Sequence, residues 1–174
     1  IYNEEKNISP LYERVKKVIS NISDSHELLF VNDGSMDNSL KLIKELARMD
    51  SSVKFINFSR NFGHQIAVTA GLDKCLGNHI VIIDADLQDP PELIVEMQKK
   101  MSEGYEVVYA RRRTRVGESF LKKFTAKMFY RILSKITSLK IPLDTGDFRI
   151  MDRKIVDVLK EMPEQQKFLR GQIS

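Results

Sequence analysis

The fold of this chain is decided by Ile80-Val81-Ile82-Ile83-Asp84-Ala85-Asp86-Leu87-Gln88-Asp89-Pro90-Pro91-Glu92. The first four residues are apolar and β-branched, which is typical of a buried parallel strand. Two carboxylates, Asp84 and Asp86, follow at the end of that strand, where open α/β sheets bind their ligands. Oxygen ligands at such a place suit Mg²⁺ or Mn²⁺. The stretch therefore predicts a metal site, with a chance Asp-x-Asp as the alternative.

Strands and helices alternate on both sides of this stretch. Apolar runs predict strands at 28–32, 53–58, 79–84 and 106–110, and helical spacing of apolar residues predicts helices at about 9–22, 37–49, 65–75 and 91–102. This alternation predicts an α/β fold class with a mostly parallel central sheet and helices on both faces. At 174 residues, the chain is expected to form one domain, 1–174.

Composition excludes several classes of protein. Hydrophobic residues make up 42% of the chain and charged residues 30%, as in globular domains. No apolar run is long enough for a membrane-spanning helix, and no signal peptide is visible. The single Cys75 excludes an internal disulfide and fits a reducing compartment. Because no strand precedes Ile1, we expect the chain to be part of a longer protein, truncated at both ends.

Four polar clusters fall at the ends of predicted strands or before the first helix. They are 2–5, 32–35, 60–64 and 84–88. Each alone could be a turn or a helix cap, but the carboxyl ends of parallel strands lie at one edge of a sheet. Together they predict a ligand cleft. Neither G-x-G-x-x-G nor a Walker A sequence is present, so the usual dinucleotide and P-loop cradles are excluded.

Positive charge is concentrated in residues 111–135. This segment has nine basic side chains and one acid, which gives it +8 against −4 for the rest of the chain. Lys123, Lys127, Arg131 and Lys135 recur at helical spacing beside an apolar face. The pattern predicts a basic amphipathic helix on an anionic membrane surface, or alternatively a solvated stripe on a core-packed helix. We expect no nucleic-acid partner, because no recognition motif is present.

Six motifs occur in order: Tyr-Asn-Glu-Glu from Tyr2, Asn-Asp-Gly-Ser from Asn32, Ser-Arg-Asn-Phe-Gly-His from Ser59, Asp-Ala-Asp-Leu-Gln-Asp-Pro-Pro-Glu from Asp84, Asp-Thr-Gly-Asp-Phe-Arg from Asp144 and Phe-Leu-Arg-Gly from Phe168. Together they closely resemble the polyprenyl-phosphate glycosyltransferases of the family 2 inverting glycosyltransferases, the dolichol-phosphate mannose synthase-like group. The resemblance covers nearly the whole chain. It implies a GT-A (Rossmann-like) fold and metal-dependent, inverting transfer of a sugar from a UDP- or GDP-linked donor to a membrane polyprenyl phosphate, in envelope glycan biosynthesis.

The resemblance also implies roles for individual residues. The expected nucleotide-sugar-binding residues are Tyr2, Asn3, Glu4, Glu5, Asp33, Arg60, Asp84, Ala85 and Asp86. The expected ligands of Mg²⁺ or Mn²⁺ are Asp86, Gln88 and Asp84, and the expected contacts to the acceptor phosphate are Arg111, Arg113, Arg115 and Arg170. The candidate catalytic residues are Asp147, Asp144 and Asp86. Asp147 is expected in a polar turn before a strand at 148–151, as base or as a contact to the acceptor.

Membrane attachment follows from the same resemblance. Many relatives carry transmembrane helices after this region, so we expect the full-length protein at the cytoplasmic face of the cell membrane, and a homo-oligomer is compatible with this scheme. One departure is visible, Asn78-His79 where relatives often have Gly-Asp. Two alternatives stay open: a family 2 enzyme acting on a different saccharide acceptor, and a non-catalytic nucleotide-binding membrane-recruitment module. The sequence does not identify the sugar.

Overall fold

A computed structural model describes residues 1–23, 25–111 and 145–162. The predicted alternation of helices and strands is present in this part of the chain. Its helices are α1 (Ile8–Ile19), α2 (Ser39–Met49), α3 (His64–Lys74), α4 (Leu93–Ser102) and α5 (Arg153–Glu161). Its strands are β1 (Leu28–Asn32), β2 (Val53–Asn57), β3 (His79–Ile82), β4 (Val107–Arg111) and β5 (Thr145–Asp152).

The strands form two sheets among the described residues. β1 and β2 pair in parallel, from Leu28 opposite Val53 to Asn32 opposite Asn57. The second sheet has the order β3-β5-β4, with β5 antiparallel to both neighbours. β3 and β4 therefore run in the same direction, as their connection through α4 predicts, but they are separated by one strand. The α/β class is confirmed, and the antiparallel β5 is a feature that local sequence patterns did not predict.

The position of β5 brings its beginning to the ends of β3 and β4. Ile82 lies opposite Arg149, so continuing the same register past the end of β3 places Asp147 opposite Asp84. On the other side, Arg111 at the end of β4 lies opposite Thr145. Asp147 is thus part of a strand rather than of a polar turn, and the expectation of a turn there is wrong. Residues 145–147 reach the sheet edge where the polar clusters meet.

Three apolar clusters fill the interior. α1 and α2 pack on β1, α4 packs on one face of β5, and α3 and α5 pack on its other face. The second and third clusters lie on opposite faces of β5 because successive side chains of a strand point to opposite faces. The fully buried members are Ile8 and Ile43 in the first cluster, Phe148 and Ile150 in the second, and Met151 and Val156 in the third. Helices therefore cover both faces, as predicted.

A cavity of about 750 Å³ lies between β1 and β3. Its lining includes Phe30 and Ile82, and at one end it reaches His64 and Asp84. Ile1 enters this region in parallel with β1, because its amino group donates to Val31 and its carbonyl accepts from Asp33 N–H. None of the helices in residues 1–23, 25–111 and 145–162 combines the length and apolar character that crossing a membrane requires.

Asp50, at the end of α2, ties α1 to the turn before β2. Its Oδ2 accepts from Tyr12 at 2.8 Å and lies 2.7 Å from Lys16 Nζ, while its Oδ1 accepts from Ser52 Oγ at 2.7 Å. The bond to Lys16, followed by those from Ser52, lowers the pKa of Asp50 well below its usual range. The carboxylate is therefore expected to stabilise the folded state.

Replacing Asp50 with Ala should lower the free energy of unfolding by about 2 kcal/mol at neutral pH, the scale of hydrogen bonds to a charged group. A depressed carboxyl pKa stabilises the fold above the unfolded value near about 3.9, and that contribution is lost as the pH falls below it. The difference in urea unfolding between variant and wild type should therefore be constant above about pH 5 and should shrink steadily as the pH is lowered from about 4 toward about 2. Glu45→Ala, on the exposed side of α2, is the control, and a pH-independent difference would contradict the explanation.

Candidate functional site

The segment Tyr2–Glu5 is joined to the loop before α2 by reciprocal hydrogen bonds. Asn3 N–H donates to Ser35 Oγ at 3.0 Å, and Asn3 Oδ1 accepts from Met36 N–H at 2.9 Å. Glu5 Oε2 accepts from Asn38 N–H at 2.9 Å. These two side chains therefore hold the loop in place. Tyr2 is 45% exposed beside them, so its side chain is open to a ligand.

Asp33, directly after β1, is 3% exposed and holds the loop that follows β2. Its Oδ1 accepts from Phe62 N–H at 2.7 Å and its Oδ2 from Gly63 N–H at 2.9 Å. The next residue must be glycine: Gly34 has φ +67, and a Cβ there would lie 2.3 Å from the carbonyl carbon of Arg60. The two strand-end loops are thus locked against each other. The predicted contact of Asp33 with a nucleoside stays a prediction.

Arg60 lies on the outer side of the same loop. Its guanidinium carbon is 4.6 Å from the centroid of the Phe62 ring, a cation–π arrangement. Both side chains are exposed. A cation held in this way at the sheet edge is available to an anionic ligand.

The acidic loop after β3 contains Asp84, Asp86 and Gln88. Asp86 Oδ1 accepts from Gln88 N–H at 3.0 Å, and Leu87 between them has φ +60, so the loop is tightly turned. Burial raises the pKa of Asp84; the imidazole of His64 opposes this shift, and the carboxylates of Asp147, Asp86 and Asp89 add to it. The loop therefore concentrates negative charge that a bound cation would neutralise.

This donor set fits a divalent cation that is shared with a ligand. In the described ranges, no group of three or more His, Cys, Asp or Glu side chains is placed to hold a metal ion by itself. Mg²⁺ does not need such a group, because it is commonly bound by one or two carboxylates together with substrate phosphates. Asp84 and Asp86 would supply the carboxylates, and Gln88 would supply an amide oxygen from the same loop.

Asp147 lies buried at the beginning of β5, between two basic side chains. Its Oδ1 is 3.0 Å from the guanidinium of Arg149, which is fully buried, and its Oδ2 is 2.9 Å from Nε2 of His64. His64 Nδ1 lies 3.8 Å from Asp84 Oδ1. The hydrogen bond to Asp147 raises the pKa of His64, and burial opposes the shift. One imidazole thus bridges the acidic loop and β5.

The structure brings together most of the predicted site residues that it describes. Arg111 is exposed at the end of β4, at the same sheet edge. Asp144, Arg113, Arg115 and Arg170 lie outside the described residues, as does the basic stripe beyond Arg111. Sequence reasoning quoted the motifs that contain His64 and Arg149 but assigned neither a role. The occurrence of these two residues in the motifs was the sequence signal from which a role could have been inferred.

The sequence matches a known protein family over most of its length. The model described as "Glycosyl transferase family 2" matches residues 1–159. The chain belongs to glycosyl transferase family 2. It is therefore a glycosyltransferase domain, as the motifs predicted.

Curated family 2 relatives match over the whole chain. An uncharacterised glycosyltransferase of Bacillus subtilis, YkcC, is 58% identical over 174 residues, covering 100% of this chain and 54% of its own length. A prophage bactoprenol glucosyl transferase homologue of Escherichia coli is 40% identical over 174 residues, covering 100% of this chain and 57% of its own. The chain thus spans about half the length of these relatives.

Solved structures confirm the GT-A fold. The mannosyltransferase PcManGT from Pyrobaculum calidifontis, in complex with GDP-Man and Mn²⁺, matches with a TM-score of 0.55. The match covers 94% of this chain and 45% of that one, at 18% sequence identity. At this identity, the likeness concerns the fold alone.

Proposed function

We propose that the full-length protein transfers a sugar from a nucleotide-sugar to a polyprenyl phosphate at the cytoplasmic face of the membrane, with inversion and with Mg²⁺ or Mn²⁺. The observation that carries this proposal is the hydrogen-bonded cluster at the sheet edge. There His64 joins the acidic loop, which suits a metal and a diphosphate, to Asp147 on β5. A donor site and an acceptor-side carboxylate are thus adjacent.

The donor half rests on the loops after β1, β2 and β3. The exposed ring of Tyr2 offers a surface for a base, and Arg60 offers a positive charge. Asp33 fixes the loop that carries Arg60 through the amides of Phe62 and Gly63. A nucleoside diphosphate would thus lie across the strand ends, with its phosphates toward the acidic loop.

The metal would be held by Asp84 and Asp86, with Gln88 as a further ligand. A divalent cation there would neutralise the charge that develops on the leaving nucleoside diphosphate. Burial first, and then repulsion from neighbouring carboxylates, raises the pKa of Asp84, and the repulsion supports this assignment because a cation would relieve it. PcManGT was crystallised with Mn²⁺ and GDP-Man, which supports a metal-assisted donor site in this fold.

The acceptor half would lie at the beginning of β5. In an inverting transfer, the acceptor oxygen attacks the anomeric carbon on the side opposite the leaving group. A phosphate acceptor is already ionised at neutral pH, so Asp147 is needed less as a strong base than as a group that orients the acceptor. Arg111 would contact the acceptor phosphate, with Arg113, Arg115 and Arg170 as further candidates.

The lipid acceptor is supported by the relatives and by the charge distribution. Relatives at about 40% identity are named bactoprenol glucosyl transferases. The +8 charge of residues 111–135 would attract an anionic leaflet, at about 1 kcal/mol per basic residue near the surface. The acceptor phosphate would then lie between the membrane and β5.

A transfer assay tests the proposed function. The full-length protein in vesicles is given UDP- and GDP-linked sugars, with Mn²⁺ or EDTA, and with or without a polyprenyl phosphate. We expect a sugar-linked lipid of inverted anomeric configuration only when metal and lipid are both present. Transfer to a different saccharide would favour another family 2 acceptor, and donor binding without any transfer would favour a recruitment module.

Replacing Asp33 with Ala should weaken binding of a free nucleoside diphosphate even in EDTA. The substitution removes the acceptor for two amides of the loop that carries Arg60, at a cost of about 1–3 kcal/mol, or roughly 5- to 150-fold in Kd. Calorimetry measures the affinity, and amide hydrogen exchange at Phe62 and Gly63 should accelerate. Asp73→Ala, on the exposed side of α3, is the control. A loss confined to metal-dependent binding would instead place Asp33 in the metal site.

A further inference from the structure

His64 stands between the donor and acceptor halves of the site. Its Nε2 is 2.9 Å from Asp147 Oδ2, and its Nδ1 is 3.8 Å from Asp84 Oδ1. The two carboxylates belong to different elements, since one follows β3 and the other begins β5. The imidazole therefore bridges the two carboxylates.

The direction of the imidazole is fixed by the loop that precedes α3. His64 is the first residue of this helix, and Gly63 before it has φ +98, a left-handed conformation that favours glycine. Gly63 N–H donates to Asp33. The chain of contacts thus runs from Asp33 through Gly63 and His64 to Asp147. It connects the strand end that we assign to the nucleotide with the one assigned to the acceptor.

The bond from His64 contributes little to folding. The side chain of His64 is 47% exposed, and exposed ion pairs stabilise a protein only weakly. The buried guanidinium of Arg149 already neutralises the other oxygen of Asp147. The need to neutralise Asp147 in the folded protein therefore accounts for Arg149, but it does not account for the exposed imidazole of His64.

We propose that His64 is a positioning residue that holds the carboxylate of Asp147 in the orientation required for sugar transfer. This inference rests on the proposed function and adds a residue to it. Displacement of a reacting group by about 1 Å can cost about 100-fold in rate, so a lost contact should lower turnover. Donor affinity should be preserved, because the acidic loop and the Asp33 loop remain.

The test compares two substitutions of His64 in the full-length protein. His64→Leu should lower kcat by about 10- to 100-fold with donor KM changed less than about 3-fold. His64→Gln, whose amide can still donate to Asp147, should recover most of the loss. His79→Leu, at the opposite end of β3, is the matched control and should leave kcat unchanged. Unchanged kcat in His64→Leu, equal loss in the Leu and Gln variants, or a rise in KM that accounts for the whole effect would each overturn the inference.

A double-mutant cycle separates this inference from the proposed function. If His64 acts through Asp147, His64→Leu should have little further effect on kcat in the Asp147→Asn background. Additive losses would mean that His64 acts elsewhere and would overturn the inference while transfer itself stands. Absence of transfer to any polyprenyl phosphate by the wild type would instead overturn the proposed function, and the inference with it.

Discussion

Replacing Asp86 with Asn should lower sugar transfer by about 100-fold or more, which corresponds to the several kcal/mol that a bound metal contributes to charge stabilisation. The substitution leaves the acidic loop intact, because the amide oxygen of Asn can still accept the hydrogen bond from Gln88 N–H that Asp86 Oδ1 accepts now. What is lost is one negative charge facing the proposed metal and the donor diphosphate. The loss of activity should therefore come without a loss of stability.

Calorimetry with and without metal identifies the cause. Donor affinity of Asp86→Asn in Mn²⁺ should fall toward the value in EDTA, where variant and wild type should agree. Asp73→Asn, a matched change of an exposed carboxylate on α3, should leave both affinities unchanged. The same metal-dependent gain in variant and wild type would remove Asp86 from the metal site.

The order and the approximate bounds of the elements could be predicted because local patterns determine them, although α1 ends at Ile19 rather than at 22 and β3 at Ile82 rather than at 84. The first strand was predicted at the residues that form β1, and α3 begins one residue before the predicted position. Apolar runs and helical spacing of apolar residues carry this information within a single element. The fold class follows from the order of the elements, without knowledge of long-range contacts.

The place of β5 could not be predicted in this way. Its partners are separated from it in sequence, since Ile80 pairs with Met151 and Val108 with Ile150. Apolar residues show that 148–151 is a strand, but no local pattern shows that it enters antiparallel between two parallel strands. That insertion decides the site, because it brings Asp147 opposite the acidic loop.

The sequence indicated which loops form the candidate site, but it did not indicate the contacts that join these loops. Strand-end motifs located the acidic loop and Asp33, because chemistry concentrates at that edge of a parallel sheet. The partners of Asp33 are backbone amides of Phe62 and Gly63, which no residue type discloses. His64 likewise resembles a helix-start residue in sequence, and only the fold places it between two carboxylates.

Asp147→Asn should lower turnover by about 100-fold, the lower range for loss of a general base or of a group that orients a proton acceptor. Donor affinity should change by less than about 3-fold, because the residues assigned to the nucleotide and the metal are untouched. The amide oxygen can still accept from Arg149, so the buried guanidinium keeps a hydrogen bond. It loses its counter-charge, however, and some reduction in the melting temperature is expected as well.

Stability and turnover must therefore be separated in this variant. Asp152→Ala is a suitable control, because Asp152 ends the same strand and its carboxylate caps α5 by accepting from Lys154 N–H at 3.0 Å, a bond that alanine cannot make. That substitution should lower the melting temperature and leave kcat unchanged below it. If Asp147→Asn behaves in the same way, with normal turnover and a lowered melting temperature, the carboxylate serves only to neutralise Arg149. A large fall in kcat at temperatures where both variants are folded assigns Asp147 to the transfer step. A carboxylate that served only to neutralise the buried Arg149 would not affect the rate of transfer by the folded protein.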